Sequence, residues 1–122
     1  MTETQALNKF WNGFGLKAYP STSVPDDTTF PWLTYEVQTS HFGSQPVNVA
    51  VNLWYHTDSE AIPNAKAKEI ADEIGFGGVT VPCDNGVLWI KRGAPWCINL
   101  ADETDISIKR RQLNVTIEYL TR

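Results

Sequence analysis

The sequence has few groups with which to do chemistry. It has only two cysteines, Cys83 and Cys97, and only two histidines, His41 and His56, in 122 residues. No CxxC, HExxH or histidine cluster occurs, which argues against a zinc site. No GxSxG elbow accompanies either histidine, so a nucleophile–base pair has no sequence support. The glycines of "GFGGV" precede a strand-like run rather than a helix, so no phosphate cradle is expected. No cofactor is expected. No apolar run approaches the ~20 residues needed to cross a bilayer, and no signal-peptide pattern is seen. Two cysteines in such a chain read as free thiols in a reducing compartment rather than a disulfide. Internal repeats and low-complexity segments are also missing.

Positive charge is scarce in the first half. Residues 1–60 carry six acids against Lys9 and Lys17, whereas residues 61–122 balance, for a net charge of −4. An acidic chain is a poor general binder of nucleic acid, since phosphate neutralisation supplies most of that affinity. Aromatic residues, by contrast, are plentiful: five Trp, four Tyr and five Phe. Either a tightly packed core or a surface that meets a partner accounts for them.

The length suits one domain, residues 1–122. Leu7, Phe10, Trp11 and Phe14 form one apolar stripe, so Thr2 to Phe14 is predicted as a helix with a Thr2/Gln5 capping box. Residues 16–29 read as an ordered loop. Strands are predicted over Trp32–Val37 and, from strict alternation, Val47–Tyr55. A helix over Glu60–Ile74, capped by Asp58 or Ser59, follows. Asp84-Asn-Gly86 predicts a tight turn joining Val79–Val81 to Val87–Lys91. Trp96–Leu100 reads as a separate short strand and Ile106–Leu120 as the last one. Ile106 and Ile108 have opposite parity to Leu113, which predicts a bulge near Arg110–Gln112. The predicted class is α+β: a single domain with a largely antiparallel mixed sheet flanked by two helices, in the order α-β-β-α-β-β-β-β.

Three local features are candidate sites. Asp26 and Asp27 in "VPDDTTFPWLTYEV" are a carboxylate pair, but proline followed by two aspartates is first of all turn chemistry. Lys109, Arg110 and Arg111 form the one basic cluster. It reads as a solvated strand edge, a salt bridge to a neighbouring subunit, or a DNA contact. The loop Thr39–Pro46, with His41 and Phe42, is a candidate docking loop.

"VPDDTTFPWLTYEV", "QPVNVAVNLWYHTDSEAIPNAKAKEIADEIG" and the closing "RQLNVTIEYLT" together resemble the tail-terminator and minor-capsid (head–tail joining) proteins of long-tailed bacteriophages. The resemblance spans nearly the whole chain. It implies a structural virion protein with no catalytic residues, not an enzyme. Copies of it would form a ring, typically hexameric, on the end of the tail tube, in the host cytoplasm during assembly and in the virion thereafter. The implied partners are itself, the tail tube protein and the head–tail connector protein, with DNA passing through unbound and no membrane involved. Alternatives are another neck component, such as a head-completion or stopper protein, and a small ligand-binding or enzymatic α+β domain using Asp26, Asp27 or His56. A nucleic-acid module built on Lys109–Arg111 is the third, against the acidic balance.

Overall fold

A computed structural model describes residues 1–121. The first helix, α1, spans Glu3–Trp11 and continues as a 3₁₀ turn over Asn12–Phe14. The capping box is present: the Gln5 amide donates to Thr2 Oγ1 (3.2 Å) and the Thr2 amide to Gln5 Oε1 (2.9 Å). These bonds satisfy donors that the first helical turn leaves without a partner. Ala6, Leu7, Trp11 and Phe14 are buried. The second helix, α2, spans Ala61–Ile74 and starts at Glu60, which makes no side-chain cap bond. The Asp58/Ser59 cap is thus not formed; Ser59 instead donates its amide to Thr57 Oγ1. Ala67, Ile70, Ala71 and Ile74 turn inward, whereas Ile62, whose spacing predicts one line with Lys66, Ile70 and Ile74, is 53% exposed.

Six strands form one mixed, curled sheet: β1 (Lys17–Pro20), β2 (Trp32–Tyr35), β3 (Val47–His56), β4 (Val79–Cys83), β5 (Gly86–Ala101) and β6 (Ile108–Thr121). Their order across the sheet is β1-β2-β3-β6-β5-β4, with only the β1–β2 pair parallel. The α+β class with two helices therefore holds, and the expected element order does not. Three strands precede α2 and three follow it.

Two corrections explain the difference. The segment read as a loop after residue 16 contains β1, a strand too short and proline-limited to show a period. The two strands expected at Val87–Lys91 and Trp96–Leu100 are one, β5. It passes Gly93 and Pro95 through an irregularity between Arg92 and Cys97. Asn114 holds the detour, its side-chain amide donating to the Pro95 carbonyl at 2.8 Å. The bulge thus lies in β5, not near Arg110–Gln112. β6 pairs with β3 without a break from Ile108 to Ile117. The apparent change of parity arises because the inward position next to Leu113 is taken by Arg111, which is 1% exposed. The tight turn is as expected: Asn85 has φ +67, and Cys83 pairs with Gly86 across it.

Both helices pack on one face of the sheet. Their buried side chains share a single core with Leu33, Tyr35, Val51, Leu53, Leu88, Ile90, Leu113 and Ile117. The sheet curls until its outermost strands, β1 and β4, both contact α1. At one end the Asp84 amide donates to the Met1 carbonyl at 2.7 Å. At the other, Asn12 holds β1: the Ala18 amide donates to Asn12 Oδ1 (3.0 Å) and Asn12 Nδ2 donates to the Ala18 carbonyl (3.3 Å). A carboxamide that donates and accepts in this way replaces the next strand and blunts the edge.

Candidate subunit interface

Strand alternation leaves the face opposite the helices open. One row across it reads Lys17, Trp32, Trp54, Arg110, Leu100, each directly beside the next. The next row includes Thr34, Asn52, Gln112 and Ile98. Trp32 and Trp54 stack at 5.8 Å with 15° between their planes, Phe30 lies 4.5 Å from Trp32, and the Arg110 guanidinium sits 5.2 Å from the Trp54 ring. The Trp54 indole N–H donates to Thr34 Oγ1 at 3.0 Å, which sets the ring's orientation. Phe30 remains 39% and Ile98 37% exposed, and Trp32, Trp54, Arg110 and Leu100 are half-buried. Tryptophan and arginine clustered on an apolar surface are the residue types that dominate protein–protein contacts.

The basic cluster is not one patch. Successive residues of β6 point to opposite faces. Arg111 turns into the helix side, where its Nε donates to Asn64 Oδ1 (2.9 Å) and its terminal nitrogen to Glu60 Oε2. It thereby ties the start of α2 to the sheet. Lys109 lies on the same side, 3.9 Å from Glu60 Oε1, and donates to the Ile106 carbonyl. Arg110 alone faces outward. Of the three, only its charge lies on the open face.

The candidate docking loop is folded back onto its own chain. The Gly43 amide donates to the Tyr119 carbonyl at 3.1 Å, and the Phe42 ring lies 6.5 Å from that of Tyr119. The Tyr119 hydroxyl donates to the Gln38 carbonyl. His41 is exposed at the adjoining turn. Burial, then the Glu3 and Cys83 charges, push the Tyr119 phenol up to about 12. Asp26 and Asp27 are exposed at a turn closed by the Thr28 amide and hydroxyl, which donate to the Pro25 carbonyl at 3.2 and 2.7 Å. They shape the entry to β2.

Folding brings together one trio that spacing did not suggest. Ser107 Oγ lies 2.8 Å and Asp105 Oδ2 3.3 Å from His56 Nε2. A serine–histidine–aspartate relay needs the two partners on opposite ring nitrogens. Here both meet the same nitrogen, and the Ser107 hydroxyl also contacts Asp105 Oδ1 at 2.5 Å. This trio closes the β5–β6 turn. The Ser107 hydroxyl and amide hold the Asp105 carboxyl below its usual range. Among the described residues no group of three or more potential ligands is placed to hold a metal ion. A shallow groove of about 530 Å³ beside α1 and β4 is lined by Phe10, Val81 and Pro82 with Lys9, Glu73 and Asp84 at its margins. Among the described residues no helix is long and apolar enough to cross a membrane.

No protein-family model, curated protein or solved structure matches the chain. Sequence reading passed over Phe30, Ile98 and Leu100. Alternation in Trp96–Leu100 was the available signal for the last two, but which face it served depended on the partner strand.

Proposed function

We propose that this chain is a structural virion protein whose copies close into a ring, hexameric in the resemblance drawn above, on the end of a phage tail tube. The ring stops tube growth and presents the surface that meets the head connector. The observation that carries this reading is the open sheet face, where Trp32, Trp54 and Arg110 form a row that, among the described residues, no helix or strand covers. In a cyclic assembly each copy lends this face to a different surface of its neighbour, and closure of the cycle ends growth. The acidic balance suits a channel through which DNA passes without adhering. Nothing is turned over in this mechanism; binding energy and geometry do the work.

Light scattering of the purified protein over a range of concentration, alone and with polymerised tail tubes, tests it. A ring-sized species, or one ring per tube end by electron microscopy, is expected. Arg110→Glu should weaken it, because the guanidinium is presented at the centre of the row. A chain that stays monomeric with tubes present overturns the reading. Capture of the ring by connector but not by tube would place it elsewhere in the neck.

A further inference from the structure

Three lengths of the sheet's edge bear on further pairing, and two of them are closed. β1 is blocked by the Asn12 carboxamide. β4 carries Pro82, which has no N–H to offer, and its turn is tied to Met1. The third length is the second half of β5. β4 covers β5 only from Gly86 to Ile90, so beyond that point β5 pairs with β6 alone. From Ala94 to Ala101 the sequence is Ala-Pro-Trp-Cys-Ile-Asn-Leu-Ala, eight residues without a charge. Proteins ordinarily guard such an edge with lysine, a proline or a covering element. Pro95 guards one end, and among the described residues no strand pairs with the outer side of Trp96 to Ala101.

We propose that this edge pairs with the same edge of a second copy, antiparallel about a twofold axis. Side-chain parity decides the geometry. An axis normal to the sheet keeps each face on its own side, so an outward residue must meet an outward residue. Ile98 and Leu100 share the open face, lying opposite Gln112 and Arg110, whereas Trp96 packs against the core. Centring the axis at Ile98 places Ile98 against Ile98 of the partner subunit, with Leu100 beside that pair on the same face. Apolar cross-strand contacts of this kind stabilise sheets. Self-pairing of a charged edge would set like charges face to face; this segment has none. The two six-stranded sheets join into one, with backbones ~4.8 Å apart at the seam. The inference stands apart from the ring reading, which uses the tryptophan and arginine side chains of the face rather than the edge.

The test is charge complementation at Ile98, which is 37% exposed and so tolerates a polar residue within the subunit. The wild type is expected to dimerise with rising concentration by analytical ultracentrifugation, with amide exchange at residues 96–101 slowing in step. Ile98→Lys and Ile98→Glu, each alone, should weaken dimerisation by roughly tenfold or more, a shift of about 1.4 kcal/mol. An equimolar mixture of the two should restore it. A wild type that never pairs, or variants that assemble as the wild type does, overturns the proposal. A wild type that forms the ring on tubes but shows no edge-paired dimer and no slowed exchange at residues 96–101 overturns this proposal and leaves the ring reading standing.

Discussion

Arg111 lies in the line of core residues on β6, yet its guanidinium reaches Glu60 and Asn64 at the start of α2. The Glu60 side chain is itself 59% exposed, so the pair is half in water. Removing the arginine therefore strands no buried acid, but it empties a large volume. Arg111→Ala is expected to lower stability by about 2–4 kcal/mol, a range set by the cost of emptying buried sites. Arg111→Met should recover most of that loss, because a buried ion pair is often no better than an apolar filling. Urea unfolding midpoints check both. Equal losses in the two variants would mean that the ion pair, not the packing, matters.

Asn12 acts on β1 as a neighbouring strand would. Asn12→Ala leaves the Ala18 amide and carbonyl without those partners and is expected to cost about 1–3 kcal/mol. It also uncovers the β1 edge, so aggregation at high concentration should rise. Asn12→Gln, with the same amide one methylene further out, should not restore either property.

Gly78 has φ +85, and a Cβ there would come within 2.6 Å of Trp89 Nε1 and 2.8 Å of the Ile90 carbonyl oxygen. The adjacent Gly77 carbonyl accepts from the same indole at 3.0 Å. Gly78→Ala should cost about 1–3 kcal/mol from the backbone conformation alone. It should also displace the indole. A shifted Trp89 fluorescence maximum, read in a variant lacking the other tryptophans nearest the surface, is the measurement.

Tyr119 makes stability fall in alkali. Its phenol ionises at about 12 in the folded protein, above the ordinary value of 10.0. Between those values the folded state holds a proton that the unfolded state has released. The contribution is thus complete below pH 10 and is lost as pH rises toward about 12. Tyr119→Phe should lose a constant amount at neutral pH, from the missing bond to Gln38, and show a shallower decline above pH 10. Parallel curves for the two proteins would contradict the shift.

How much of this was legible in the chain differs from element to element. The Thr2/Gln5 capping box, the alternation of Val47–Tyr55 and the Asp84–Gly86 turn are local: each is decided by residues within a few positions of one another. So was the turn role of Asp26 and Asp27. β1 was not legible, because four residues ending in proline carry no period and owe their strand to β2 and Asn12. The union of two short strands into β5 depended on Asn114 and on Gly93, where a Cβ would come within 2.9 Å of the Asn114 carbonyl. Arg111 read as surface charge because burying it requires Glu60, fifty-one positions away.

The sequence by itself determined the class of the domain, its two helices and the stripe that the first of them buries, since periodicity and capping are short-range physics. It also determined that the chain is acidic and rich in rings. Tertiary structure alone decided what those rings and charges face. Strand order set Trp32, Trp54 and Arg110 in one open row, turned Arg111 inward, and left the edge of β5 from Trp96 to Ala101 without a neighbour. The reason is that a strand's two faces are equivalent until its partners are chosen, and that choice is made by residues far away in the chain.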